Sequence, residues 1–277
     1  MTKQVLLLSL LPSLGFADIN MRDASFIKSQ NDFQNPILAR SYSSRSLWFG
    51  TFGFGWCAEF EKRYDPTTKT LHHCDRTQPM QARWVSGQWV IHQSSFMQVY
   101  NFRGQLMQIK DSKGLAWDLS YDRHGRLSRI RNGPRNYVFI YDIKGLRRIE
   151  SAHEKVSQYQ MRENLLMKVE SPKGEWSYSY DSEKNLSQLR SAGHFETIQY
   201  DKDLDEVREI HSGACVQTLS SQKLSENQFQ STVKTSCPAR PSRFQTFTFT
   251  ARPTLEGRWT LRNVKVSGGT FDKVSLP

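Results

Sequence analysis

A Tyr-Asp pair returns along this chain at a pitch of about twenty residues, and each copy opens a similar unit. The starts are Tyr100, Tyr121, Tyr141, Tyr159, Tyr180 and Tyr200, separated by steps of 21, 20, 18, 21 and 20. Tyr121-Asp122, Tyr141-Asp142, Tyr180-Asp181 and Tyr200-Asp201 are complete, whereas Tyr100-Asn101 and Tyr159-Gln160 are degenerate. A fixed period of this length denotes a repeat architecture, in which each unit buries its apolar face only by stacking on its neighbours. The functional expectation shifts accordingly from a single-site enzyme to an extended surface.

One unit shows the local logic. Trp117, Leu119 and Tyr121 alternate with Asp118 and Ser120, the period-two pattern of a strand with one buried face. Asp122-Arg123-His124-Gly125 has Asp and Gly at the positions favoured in a type I turn. Leu127 and Ile130 mark the returning strand, and Asn132-Gly133 a second turn. The Leu-to-Ile spacing of three does not suit a flat strand and calls for a bulge or a strong twist. Other units repeat the scheme through Tyr137/Phe139/Tyr141, Trp176/Tyr178/Tyr180 and Phe195/Ile198/Tyr200, with Asn185 read at the glycine position of its turn. The predicted fold is all-β: an extended, curled antiparallel sheet built from hairpins of about twenty residues.

These residues resemble the YD repeats of the RHS/YD-repeat family. That unit runs Tyr-Asp-x-x-Gly-x-Leu-x-x-Ile; residues 121–130 match every named position, and 141–149 match with one residue fewer. Arg40-Ser41-Tyr42-Ser43-Ser44, followed by Gly50-Thr51-Phe52-Gly53-Phe54-Gly55-Trp56, resembles the entry region that precedes such repeats. The likeness covers roughly residues 35–210. Large members wind many repeats into a hollow shell around a C-terminal toxin and end it with an Asp-Pro-x-Gly autoproteolytic motif. Here Asp65-Pro66 is followed by Thr67-Thr68, and no toxin domain is recognised in 211–277. The resemblance therefore implies a secreted β-repeat protein, and encapsulation and self-cleavage are not carried over.

Residues 1–17 read as a secretory signal peptide: Lys3, a Leu-rich stretch from Val5 to Leu14, then Gly15-Phe16-Ala17 before Asp18. The remainder divides into an entry region with hairpins (18–99), the repeats (100–210) and a C-terminal β segment expected to cap the sheet (211–277). Trp84, Gly87 and Trp89 read as a further hairpin, so the sheet is expected to begin before Tyr100. The glycines of 48–56 suit tight bends and close backbone approach; the rival reading is an aromatic ligand platform. Export permits disulfides. The four cysteines, Cys57, Cys74, Cys215 and Cys237, allow three connectivities; pairing 57–74 and 215–237 closes the shortest loops.

No nucleophile elbow, His-Glu-x-x-His or phosphate loop occurs, and no enzyme activity or cofactor is predicted. His72-His73-Cys74 lacks the second ligand pair of a zinc site. One Asp per repeat is too sparse for calcium and reads as turn capping. Charge is more informative. Removing the leader with its single lysine takes the formal charge from +11 to +10. The window 123–148 holds Arg123, Arg126, Arg129, Arg131, Arg135, Lys144, Arg147 and Arg148 against Asp142, a net +7. This is the solvated face of an ordinary sheet or a basic patch for an anionic glycan, envelope surface or partner protein. Nucleic acid is disfavoured by export. The expected role is an exported, periplasmic, cell-surface or extracellular, non-catalytic binding protein. Its rivals are an accessory shell fragment of a toxin system and a hydrolase with an unrecognised site. Reduction is expected to cost about 3 kcal/mol per disulfide without releasing metal; stoichiometric zinc in the purified protein would overturn the cysteine assignment.

Overall fold

The computed structural model describes residues 18–20, 24–33, 35–93, 95–201, 206–225, 228–238, 240–253 and 259–267. The leader reading lies outside the described residues. Among those described there is no α-helix, and the one helical turn is a 3₁₀ turn at Pro36–Leu38. Eighteen strands, from Arg83–Val85 to Trp259–Ser267, form one antiparallel meander in strict chain order. Its first and last strands do not pair with each other, so the sheet is open rather than a barrel. Strands from Cys215 onward continue the same meander.

Six hairpins of the repeat region share one irregularity. In each, the register shifts just before a residue at or next to the end of the strand, an aromatic in five of them: Tyr100 faces Leu106, Tyr121 faces Leu127, Tyr141 faces Leu146, Tyr180 faces Leu186 and Tyr200 faces Val207. The residue after that Leu or Val is inserted, which places Leu127 and Ile130 on one face despite their spacing of three. In the fourth hairpin the residue in this register is Met161, opposite Leu166. Tyr159, expected to open that unit, instead takes the place of Tyr178, two residues earlier. The structural starts are thus Tyr100, Tyr121, Tyr141, Met161, Tyr180 and Tyr200, with steps of 21, 20, 20, 19 and 20.

The recurring tyrosines have a structural duty. Beyond the bulge, adjacent hairpins stop pairing: Leu127–Asn132 meets Arg135–Asp142 only through Arg129 to Asn132. Tyr141 spans the opening and donates its hydroxyl to Leu127 O at 2.8 Å. Tyr121 does so to Leu106 O, Tyr180 to Leu166 O and Tyr200 to Leu186 O, at 2.8, 3.0 and 2.9 Å. The Asp caps the turn. Asp122 Oδ1 accepts the amides of His124 and Arg126 at 2.8 and 2.9 Å, and Asn101 and Asp181 do the same in their turns. The turn's left-handed residue is Gly104, Gly125 or Lys184, with φ of 77°, 77° and 68°. Lys184, not Asn185, therefore occupies the glycine position; Asn185 follows it, its amide and carbonyl both engaging Asp181.

The sheet's apolar face is covered by the segment before it. Residues 18–79 form small sheets of four strands (18–20, 25–30, 40–43, 56–58), two (49–50, 53–54) and three (62–65, 70–73, 76–79). They cross the repeats broadly from last to first. Ala24 O accepts Val207 N at 2.9 Å, Tyr42 OH accepts Leu186 N at 2.9 Å, Trp56 meets Tyr178, Phe52 meets Tyr159, Phe60 meets Phe139 and Tyr64 meets Tyr100. Two buried ion pairs sit in this interface. Arg40 binds Asp32 at 2.9 Å and Tyr178 OH at 2.8 Å and lies 4.3 Å from the Trp56 ring centroid; Lys28 binds Glu196 at 3.0 Å. Burial opposes the Arg40 charge, but Asp32 and the neighbouring phenols outweigh it and hold the guanidinium above its usual range.

The 49–54 hairpin docks at the Met161 unit, with Phe54 N on Asn164 O at 2.9 Å. Gly53 makes the approach possible: a Cβ there would lie 2.6 Å from Asn164 O and 2.7 Å from the Met161 Cε. Truncating Tyr121 to Ala is expected to cost about 3–5 kcal/mol, whereas Tyr121→Phe, which loses only the Leu106 bond, costs about 1 kcal/mol. Urea denaturation separates the two, and wild-type stability of Tyr121→Ala would show the ring to be dispensable.

Candidate functional site

The two edges of the sheet differ because the bulges splay only one. On the Tyr-Asp edge, the turns 122–126 and 142–145 face segments 48–51 and 60–67 of the covering residues 18–79, the plug, which meets the sheet at turn 101–105. A cavity of about 950 Å³ opens there. It is lined by Trp48, Phe49, Tyr121, Tyr141 and Phe102, by the cations Arg63, Arg103, Arg126 and Lys144, and by the acids Glu61 and Asp65.

Each wall is fixed by the local structure. Tyr121 and Tyr141 are held by their bonds to Leu106 and Leu127. Arg126 pairs with Asp122 at 2.8 Å and lies 4.5 Å from the Tyr141 ring centroid. Gly104 lets the plug approach the sheet: Tyr64 N donates to its carbonyl at 2.9 Å, and a Cβ there would sit 1.8 Å from Tyr64 O. Glu61 organises the aromatic wall. Its carboxylate accepts Thr51 N, Ala58 N at 2.8 Å and Trp48 Nε1 at 3.4 Å.

Electrostatics distinguish the groups. Burial pushes the Glu61 carboxyl above the usual carboxylate range, against the donors that stabilise its charge. Burial also drives the Tyr121 and Tyr141 phenols far above neutrality, so both remain neutral donors. Asp65 is held below the usual range by the Thr67 amide. His72 has its ring nitrogens 3.0 Å from the Thr70 and Thr77 hydroxyls.

The seven arginines singled out by charge fall on different surfaces. Arg123 and Arg126 lie on the Tyr-Asp edge, and Arg147 is the exposed inserted residue of its bulge. Arg129, Arg131 and Arg148 lie on the face away from the plug, where Arg131 approaches Asp118 at 3.9 Å and Arg148 pairs with Glu150 at 2.8 Å. Arg135 lies at the opposite edge, in the turn closed by Asn132. The disulfides join Cys57 to Cys74 and Cys215 to Cys237, with Cα separations of 5.9 and 4.2 Å. His73 Nε2 lies 3.1 Å from Ala58 O and 3.5 Å from Cys57 Sγ. In the Trp48–Trp56 stretch, Gly53 and Gly55 adopt positive φ, as the tight-bend reading expects, and Trp48 and Phe49 line the cavity. Glu61, Lys62, Arg63 and Arg103 carried no sequence signal, since they join the site only through the plug's docking.

No family model matches the chain, and no curated protein matches it. Among solved structures it is similar to "Crystal Structure of TcdB2-TccC3-TEV", with 14% identity and a TM-score of 0.32 over 88% of this chain and 14% of that chain. A likeness so distant carries no weight for function.

Because the folded state holds the Glu61 proton more tightly than the unfolded chain, stability is expected to fall as pH rises from the ordinary glutamate value of about 4.3 through the raised folded value. In Glu61→Gln that slope should vanish. Thermal denaturation across this range checks it, and an unchanged slope would assign the effect to another carboxylate.

Proposed function

We propose that this chain is an exported, non-catalytic binding protein of the RHS/YD-repeat type, and that its cleft takes an acidic carbohydrate of the cell envelope. The observation carrying this reading is the cleft: the aromatic walls Trp48, Tyr121 and Tyr141 beside four cations, Arg63, Arg103, Arg126 and Lys144, at a volume suited to a few sugar rings. Aromatic faces take the apolar side of a sugar, and the cations take its carboxylate or phosphate. The non-catalytic part rests on the state of the reactive groups. The wall phenols stay protonated, His72 is engaged by two threonines, and Glu61 is bound by amides and an indole. Export is supported by two disulfides, which are compatible with an oxidising compartment. Among the described residues, no helix is long and apolar enough to cross a membrane.

Calorimetry with acidic and neutral oligosaccharides tests the reading. Binding should favour the acidic ligand, weaken with salt, and fall about tenfold or more in Trp48→Ala and in Arg126→Ala. Equal affinity for both ligands, or unchanged affinity in both variants at preserved melting temperature, would overturn it.

A further inference from the structure

The residues that project furthest from the Tyr-Asp edge are not used by the fold, and of them only Phe102 also lines the cleft. The position after the capping residue in three consecutive turns, following Asn101, Asp122 and Asp142, holds Phe102, Arg123 and Ile143. Consecutive hairpins lie two strands apart, which spaces neighbouring tips by about 10 Å. Phe102 is 64% exposed and Ile143 100% exposed; across the cleft mouth, Leu47 is 83% and Phe49 56% exposed. Single exposed apolar residues are ordinary. Two at turn tips of this edge, with Leu47 and Phe49 of the covering segment and with cations beside the tips, form a pattern of their own.

The charges on that edge complement the tips. Arg103 follows Phe102, Lys144 follows Ile143, and Arg123 and Arg126 stand between them. The acids of these turns face backward: Asp122 accepts the amides of His124 and Arg126, and Asp142 accepts that of Lys144 at 2.7 Å. On the plug side, Lys62 pairs with Glu59 and Asp65 accepts Thr67 N, while Arg63 is exposed. In the next turns the row ends at Glu163 and Ser182. At the opposite edge, turns bring Gly133-Pro134, Pro172-Lys173 and Ala192-Gly193 to their tips, and the exposed apolar residues there, Leu115 and Val156, are 49% and 42% exposed, less than Phe102 and Ile143.

We infer that this edge docks on an anionic lipid bilayer. Leu47, Phe49, Phe102 and Ile143 enter the boundary between headgroups and acyl chains, while Arg103, Arg123, Arg126 and Lys144 meet lipid phosphates. Separated apolar points, each beside a cation, suit a fluid interface, which deforms around them; a protein partner would favour a contiguous apolar patch. The inference rests on the tips and does not require the cleft to hold a sugar.

Co-sedimentation of the full mature chain with phosphatidylcholine vesicles, with and without phosphatidylglycerol, tests it. Binding should require phosphatidylglycerol, weaken with salt, and fall about tenfold or more in the double variant Phe102→Ser, Ile143→Ser. Arg103→Glu with Lys144→Glu should abolish it, whereas Val156→Ser, off this edge, should leave it unchanged. The tips are exposed, so each variant should melt with the wild type. Equal binding to both vesicles, or undiminished binding in both double variants, would overturn the proposal. So would a concentration-dependent dimer that the Phe102→Ser, Ile143→Ser change dissolves while no vesicles are bound.

Discussion

A sheet of near-equivalent hairpins with one apolar face needs a cover, and the cover must find its place. Apolar packing alone does this poorly, because sliding the plug by one repeat, about 10 Å, would set similar rings against similar rings. The Lys28–Glu196 pair removes the degeneracy, because Lys28 belongs to the plug and Glu196 to the sheet. Arg40 and Asp32 both belong to the plug and move together; they add hydrogen bonds from Arg40 to Tyr178 and from Tyr159 to Asp32, the latter at 3.0 Å. A buried ion pair gains little net stability over a well-packed apolar core, yet breaking one is costly. Its contribution here is register: a wrong placement leaves Lys28 and Glu196 buried without each other.

The cleft follows from the same register. Each Tyr-Asp hairpin carries one inserted residue on its returning strand, so the strands of neighbouring units part on that edge only. Tyrosine hydroxyls span the parting, and the space between turn tips and plug remains open. A repeat with matched strands would have zipped both edges equally and left no such opening.

Much of this was legible in the sequence. Alternation, turn chemistry and the odd Leu-to-Ile spacing pointed to bulged hairpins, because these are local properties of a strand and its turn. What escaped was non-local. The fourth unit was misplaced on Tyr159 because tyrosine marked the other starts, whereas Met161, against which Gly53 docks, holds the equivalent register. Lys184 in the left-handed position was hidden by the neighbouring Asn185, which looks the better candidate on propensity. The cleft was invisible for a different reason: Glu61 and Arg126 are far apart in the chain, and nothing in either's surroundings announces the other. Arginine density misdirected in turn, because a window of sequence mixes both edges and the outer face and omits the acids, Asp118 and Glu150, that lie just beyond it.

The division of labour within each turn shows where adaptation can act. The capping oxygen, the left-handed residue and the Leu or Val that faces the strand-ending aromatic are bound by backbone geometry, and changing them costs the fold. The side chain at the tip touches none of these constraints. Phe102, Arg123, Ile143 and Ser182 occupy it in the capped turns, four chemistries at one position, whereas Glu163 sits in a left-handed turn with φ of 52°. Folding has no preference among them, so what selects phenylalanine and isoleucine for positions that water alone would disfavour must lie outside the chain.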